Sequence, residues 1–126
     1  MKKLVYFSAI ALIVIMIGCK KESAISIEGF WSGTGTTTGS PPNVFALLFR
    51  SNGTALAYLG NTDTTLAFKV NGSYVIGSDS VRTTLSSASN TSIFSGKLNS
   101  AATTMNGTFR SLTLPIDEGT FSLIKN

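Results

Sequence analysis

Short segments in which apolar and polar residues alternate recur along the chain from residue 27 onward. Alternation with a period of two residues is typical of β-strands with one buried face, and clusters of Gly, Asn, Asp and Ser between segments are typical of turns. No part of this region carries apolar residues at helical spacing beyond one turn. The pattern predicts strands at residues 27–35, 43–51, 54–60, 67–76, 79–86, 91–98, 103–110 and 118–125.

The residues at the turns predict how neighbouring strands pair. Asn52 and Gly53 fit a two-residue type I′ turn, because that turn needs two positive φ angles. In the resulting register, the face that forms the core carries Phe45, Leu47, Phe49, Leu56 and Tyr58.

Two further hairpins are predicted in the same way. A turn at residues 77–79 places Tyr74 and Val81 on an apolar face, while Lys69 and Arg82 point away from it. A loop at residues 99–102 pairs the next two strands, with Gly107 opposite Phe94 and Gly96 opposite Met105. We therefore expect an all-β fold, an eight-stranded antiparallel up-and-down meander that forms a closed or nearly closed barrel.

The N-terminal segment has a different pattern. Lys2 and Lys3 precede an apolar run from Leu4 to Ile17. A basic start followed by a short apolar run is the layout of a secretory signal peptide. As a helix the run would be about 21 Å long, which is short for a hydrocarbon core of about 30 Å. We therefore expect a helical signal segment at residues 1–18, and a permanent membrane span fits this run less well.

The end of this segment resembles a known processing signal. Met16, Ile17, Gly18 and Cys19 are similar to the lipobox of bacterial lipoproteins, although that family more often has leucine in place of Met16 and a small residue in place of Ile17. The resemblance implies cleavage between Gly18 and Cys19 and attachment of lipid to the Cys19 thiol.

The same resemblance implies a location for the protein. Residues 19–26 would be the lipidated cysteine and a polar tether, followed by a barrel domain at residues 27–126. The protein would be held at a membrane of the bacterial cell envelope by the covalent lipid. Lys20, directly after the cysteine, favours the outer membrane over the inner one within that family.

The net charge of +4 is not a property of the barrel domain. Lys2, Lys3, Lys20 and Lys21 all flank the N-terminal apolar run. From Ile25 onward, six basic residues stand against five acidic ones, which gives a net charge of +1. A nucleic-acid partner is not expected, because such proteins carry a basic patch or stripe.

The first predicted strand resembles that of the calycins, which include the lipocalin and avidin-like barrels. The segment IEGFWSG at residues 27–33 contains the Gly-x-Trp motif of that group, formed by Gly29 and Trp31. The resemblance implies that Trp31 plugs one end of the barrel beneath a basic residue from a late strand, for which Arg110 and Lys125 are the candidates. Avidins use several tryptophans around biotin, and this chain has one, so biotin is not the expected ligand.

Catalytic chemistry is poorly represented in the sequence. The chain has no histidine, which excludes a Ser-His-Asp triad and histidine-based metal sites. Its one cysteine is the expected lipidation site, and the acidic residues are not placed as a catalytic pair. We expect no enzymatic activity, no metal and no cofactor.

Two functions remain open. In the first, the barrel binds a small apolar or amphipathic ligand. In the second, the barrel is filled by its own side chains and acts as a structural module that contacts another envelope protein through an outer apolar strip containing Leu48 and Leu59. The residues expected to line the interior are Trp31, Phe45, Leu47, Phe49, Leu56, Tyr58, Tyr74, Phe94, Phe109 and Phe121.

Overall fold

The computed structural model describes residues 25–114 and 117–126, and these residues form an antiparallel β-barrel. The strands pair in chain order, and β8 pairs with β1 to close the barrel, so the predicted up-and-down architecture is confirmed. The strands are β1 (Gly29–Thr37), β2 (Asn43–Phe49), β3 (Thr54–Leu59), β4 (Phe68–Ile76), β5 (Ser80–Ser86), β6 (Thr91–Leu98), β7 (Thr104–Ser111) and β8 (Glu118–Lys125).

Several predictions concern the N-terminal segment. The signal segment at residues 1–18, the cleavage site between Gly18 and Cys19, and most of the tether lie outside the described residues. In the barrel itself, every strand has both of its neighbours within residues 29–125. We therefore expect the barrel to fold without the N-terminal segment.

Inward and outward side chains alternate along the strands, as a barrel with a packed interior requires. In β5, Val81, Thr83 and Leu85 are buried, whereas Ser80, Arg82 and Ser86 are exposed. Close approach of two strands also depends on glycine. A side chain on Gly107 would collide with the Ser95 carbonyl oxygen of the neighbouring strand.

One half of the barrel interior is filled by large side chains. Ile27, Trp31, Phe49, Met105 and Leu123 are each at most 1% exposed. Trp31 and Phe49 pack edge to face, with ring centroids 6.4 Å apart. This half lies at the end of the barrel that carries the β2–β3, β4–β5 and β6–β7 turns, which we call the closed end.

The predicted register of the β2–β3 hairpin is wrong by one residue. Phe49 pairs with Ala55 and Leu47 pairs with Ala57, so the small side chains of β3 face the core. Leu56 and Tyr58, which were predicted to share the face of Phe49, therefore point outward.

The cause of this difference is the conformation of the turn. Only Gly53 has a positive φ, of 80°, whereas a type I′ turn would require one at Asn52 too. The loop instead has three residues, with the Gly53 N–H donating to the Arg50 carbonyl at 3.2 Å. Asn52 Oδ1 accepts hydrogen bonds from both the backbone N–H and the hydroxyl of Thr54, at 3.2 and 2.6 Å. These two bonds stabilise the longer loop.

In the other two hairpins, the side chains lie on the faces of the sheet that the sequence predicts. In the β4–β5 hairpin, Ile76 pairs with Val81 and Tyr74 pairs with Thr83, so Tyr74 and Val81 share the inner face, as predicted. In the β6–β7 hairpin, the pairing is displaced by two residues, so that Phe94 lies opposite Phe109 and the predicted pairing of Phe94 with Gly107 is wrong. A shift of two residues leaves every side chain on its predicted face, because the side-chain period of a strand is two.

Candidate functional site

The half of the barrel opposite the closed end contains a cavity of about 500 Å³. It opens between the loops that join β1 to β2, β3 to β4, β5 to β6 and β7 to β8, and we call this opening the mouth. The cavity is lined by Gly35, Thr37, Asn43, Val44, Phe45, Leu59, Gly60, Phe68, Val70, Leu85, Ser87, Asn90, Ser92, Phe94, Phe109 and Asp117.

Aromatic rings form the floor of the cavity. Phe94 stacks on Phe109 with a centroid distance of 5.2 Å, and Phe45 lies 5.7 Å from Phe94. Phe121 supports the cluster from below, with its ring 5.5 Å from that of Phe94. Gly35 faces this cluster without a side chain, and a Cβ at this position would lie 3.4 Å from the Phe45 ring. The absence of a side chain here keeps space above the rings.

One polar network reaches the cavity wall from the loops. The Ser111 hydroxyl accepts the backbone N–H groups of Thr113 and Leu114, at 3.1 and 2.9 Å, and donates to Asn90 Oδ1. Because the amide oxygen of Asn90 accepts this bond, its NH₂ group must point the other way, toward the Ser92 hydroxyl 3.5 Å distant. The wall therefore presents an amide donor and a hydroxyl beside the aromatic floor.

The rim of the mouth is apolar and exposed. Leu66 and Phe68, in and after the β3–β4 loop, are 71% and 65% exposed. Leu112 and Leu114, in the β7–β8 loop, are 56% and 52% exposed. These two loops face each other across the mouth, because the strands that they join lie on opposite sides of the barrel.

Asp117 is the only charged residue among those that line the cavity in the described part of the chain. It directly precedes β8, and its backbone carbonyl accepts the Ser111 N–H at 2.8 Å. Gly119 and Phe121 follow it on the inner face, whereas Glu118 pairs with Arg110 on the outer face.

The closed end contains the buried tryptophan beneath a basic residue that was expected from the sequence. Trp31 is fully buried, and its indole N–H donates to the Ile27 carbonyl at 2.8 Å. Gly29 allows the chain to turn between these residues, because its φ of 119° is rarely adopted by residues with a side chain. Of the two candidates for the basic residue over the ring, Lys125 occupies this position, with Nζ 5.8 Å from the ring centroid. Arg110 points outward.

The predicted interior residues divide into three groups. Phe45, Phe94 and Phe109 line the cavity, and the buried Phe121 supports them. A second group fills the closed half and consists of Trp31, Leu47, Phe49 and Tyr74. Leu56 and Tyr58 form the third group.

Leu56 and Tyr58 lie on the outer surface, which corrects their assignment to the interior. Tyr58 packs against Phe30, with ring centroids 5.8 Å apart, and Lys69 Nζ lies 6.0 Å from the Tyr58 ring centroid. Leu59, which was assigned to an outer apolar strip, instead lines the cavity. Both corrections follow from the one-residue shift of the β2–β3 register.

Sequence reasoning missed the polar part of the site. Alternation along β6 would have placed Ser92 on the same face as Phe94, so this residue had a detectable signal. Asn90 and Asp117 lie in loops whose composition is typical of turns, and nothing in the sequence pattern distinguishes them from other turn residues.

Residues 25–114 and 117–126 contain no group of three His, Cys, Asp or Glu side chains positioned to hold a metal ion. They also contain no helix long and apolar enough to cross a membrane.

The chain matches no protein-family model, and no curated protein matches it significantly. The fold places it in the general class of eight-stranded up-and-down β-barrels. Its strand number and strand order are consistent with a calycin-like domain.

Proposed function

We propose that this protein is a membrane-anchored lipoprotein of the bacterial cell envelope whose non-catalytic barrel binds a small apolar or amphipathic molecule. The observation that carries the proposal is the cavity of about 500 Å³ with its aromatic floor. Binding sites for small molecules typically have volumes of about 300 to 1,000 Å³, with mostly apolar walls and a few polar groups. The Asn90 amide and the Ser92 hydroxyl would orient a ligand in this cavity.

The contrast between the two halves of the barrel supports this function over that of a filled structural module. In the closed half, large side chains such as Trp31, Phe49 and Met105 are packed together and are at most 1% exposed. In the open half, several inward positions carry small residues, including Gly35 and Ser92. A barrel whose core served stability alone would gain by filling this space, because burial of apolar surface contributes about 25 cal/mol per Å².

The anchoring part of the proposal depends on the resemblance of residues 16–19 to the lipobox. Two acyl chains on Cys19 would give stable membrane attachment, since each buried methylene contributes about 0.8 kcal/mol. Lys20 supports an outer-membrane location through the same family resemblance. The partners would thus be a membrane, through the lipid, and a small ligand, through the cavity.

Ligand binding is tested by filling the cavity. We would purify the chain from Lys20 onward and record native mass spectra of the wild type, Ser92→Phe and Ser95→Phe. Ser92 faces the cavity, and Ser95 is an exposed residue on the outer face of the same strand. We expect a co-purifying small molecule, or binding of an added apolar probe, in the wild type and Ser95→Phe but not in Ser92→Phe. A wild-type barrel that stays empty with every probe would instead favour the structural module.

Anchoring is tested separately with Cys19→Ser. The intact mass of the wild-type protein extracted from membranes should exceed that of the chain cut before Cys19 by the mass of the attached lipid. The Cys19→Ser variant should lack this added mass and should no longer be retained by membranes through a covalent lipid. Equal retention of both proteins after carbonate washing would contradict the proposed anchor.

A further inference from the structure

We infer that the cavity selects an amphiphile with a cationic head, such as an alkyl amine, over one with an anionic head. This inference rests on the proposed ligand-binding function and adds the charge of the ligand to it. It comes from the distribution of charged side chains around the mouth.

The first step is the position of Asp117. Asp117 directly precedes β8 and lines the cavity, and continuing the alternation of β8 back by one residue places it on the same side as Gly119 and opposite to Glu118. Two backbone hydrogen bonds hold the residue in place, from the Ser111 N–H to its carbonyl at 2.8 Å and from its own N–H to the Leu114 carbonyl at 3.1 Å. A carboxylate therefore lies at the cavity opening, where the head of a bound amphiphile would lie.

The second step is that no described basic residue lines the cavity to offset this negative charge. Lys125 lies over Trp31 at the closed end, and Arg50 is in the β2–β3 turn at the same end. The remaining basic residues of the described chain are exposed and do not line the cavity, and these are Lys69, Arg82, Lys97 and Arg110.

The third step concerns the hydrogen-bond donor in the wall. The Asn90 NH₂ group could donate to a carboxylate, but one neutral donor does not offset the free energy needed to remove a carboxylate from water. An ammonium head would remain near water at the rim and would face the Asp117 carboxylate. Its alkyl chain would contact the rings of Phe45, Phe94 and Phe109, whose faces carry partial negative charge.

The inference is tested with three probes of equal chain length and different charge. Octylamine, octanol and octanoate are cationic, neutral and anionic at neutral pH. Binding to the chain from Lys20 onward would be measured by calorimetry, and NMR shifts of the Phe45, Phe94 and Phe109 ring protons would locate each probe in the cavity. We expect octylamine to bind about tenfold more tightly than octanoate at low salt, because a partly desolvated ion pair contributes more than an exposed one.

Two isosteric variants separate the role of Asp117 from general charge effects. Asp117→Asn and Glu118→Gln each remove one negative charge, but only Asp117 lines the cavity. Asp117→Asn should reduce the preference for octylamine to less than about threefold, which is within the range of exposed charge effects, while Glu118→Gln should retain it. Octanol affinity should be the same in the wild type and Glu118→Gln, because Glu118 does not line the cavity.

The outcomes distinguish this inference from the function on which it rests. Octanol binding in the cavity, combined with equal affinities for octylamine and octanoate, would overturn the charge selection and leave the binding function intact. An unchanged preference in Asp117→Asn would overturn the assignment to this residue. If none of the probes shifts the three phenylalanine rings, the ligand-binding function and the inference both fail.

Discussion

At the scale of single residues, Trp31 links Ile27, which precedes β1, to the barrel core. Its indole N–H bonds to the Ile27 carbonyl at 2.8 Å, and both residues are fully buried. Trp31→Phe would leave that carbonyl without its partner and would create a space beneath Lys125. We expect the free energy of unfolding to fall by about 2 kcal/mol, measured by urea denaturation of the chain from Lys20 onward.

Lys125→Met is the matched control for this prediction. It removes the cation near the Trp31 ring but keeps the hydrophobic stem and the buried hydrogen bond. Its expected cost is about 0.5 to 1 kcal/mol, the range of cation–π interactions at exposed sites. If Trp31→Phe cost no more than Lys125→Met, the Ile27 hydrogen bond would not be the main stabilising contact at the closed end.

Tyr74 provides a second residue-level prediction, which depends on pH. Its hydroxyl donates to the Arg50 carbonyl at 2.6 Å. Burial raises the pKa of Tyr74 above its ordinary value of 10.0, and the nearby charge of Glu28 raises it further. The folded state binds the phenolic proton more tightly than the unfolded state does. The contribution of the protonated Tyr74 hydroxyl to the free energy of unfolding is therefore complete below about pH 10, and it is lost as the pH rises through the raised pKa.

Tyr74→Phe measures this contribution directly. At neutral pH the substitution should lower the free energy of unfolding by about 1 kcal/mol, because the Arg50 carbonyl loses a hydrogen-bond donor. The difference between wild type and variant should become smaller from pH 9 to pH 11, since the variant has no proton to lose at this position. A difference that grows over this range would mean that the pKa of Tyr74 is lowered by folding.

At the scale of elements, the β2–β3 turn determines which residues face the core. In the observed three-residue loop, only Gly53 needs a positive φ, and Asn52 acts through its side chain. Gly53→Ala should therefore lower the free energy of unfolding by about 1 kcal/mol, the usual cost of a left-handed conformation for a residue with a side chain. Urea denaturation would measure this loss.

The same turn offers a comparison that distinguishes the two loop types. Asn52→Gly should also be destabilising, by a few tenths of a kcal/mol or more, because it removes the acceptor for Thr54 and adds flexibility. In a two-residue type I′ turn, glycine at this position would be tolerated well, since both central residues have positive φ. Stabilisation by Asn52→Gly would thus contradict the observed loop.

The number and order of the strands could be predicted because the turn residues and the alternating pattern agree over most of the chain. Around β5, polar residues such as Arg82 mark the outer face clearly, and the predicted faces are correct. Around β3, Ala55 and Leu56 are both apolar, so alternation does not distinguish the two faces. The register then depends on the Asn52 hydrogen bonds to Thr54, which a sequence pattern does not reveal.

The candidate site was predictable only in part for a related reason. The inward position of Phe45, Phe94 and Phe109 follows from alternation along their strands. The empty volume above them does not, because it depends on how side chains from all strands fill the interior. The resemblance to calycins indicated the plugged end at Trp31, but only the pairing of β8 with β1 decides that Lys125 lies over the ring.

At the scale of the whole molecule, the two ends of the barrel differ in their relation to the proposed anchor. The described chain enters the barrel at Ile27, at the closed end, and the mouth lies at the far end of β1. Residues 20–26 would span at most about 24 Å when fully extended. The nine residues of β1, tilted as in other barrels, span about 22 Å along the barrel axis.

This geometry predicts that the mouth faces away from the membrane that carries the lipid. To bring the mouth to the same bilayer, the tether would have to run fully stretched along the barrel wall, at a large cost in conformational entropy. Because the lipid occupies the Cys19 thiol in our proposal, a cysteine introduced elsewhere is the only free thiol and can carry a fluorophore. Ser78→Cys would label the closed end, and Leu66→Cys would label the rim of the mouth.

Each labelled lipoprotein would be reconstituted into vesicles that contain lipids with a quencher in the headgroup region. We expect stronger quenching at residue 78 than at residue 66, because the closed end lies near the bilayer. The apolar rim then faces the aqueous compartment, and its ligand must arrive from that side or be transferred from another carrier. Stronger quenching at residue 66 would show that the exposed leucines of the rim rest on the bilayer, and ligand entry from the anchoring membrane would replace the arrangement proposed here.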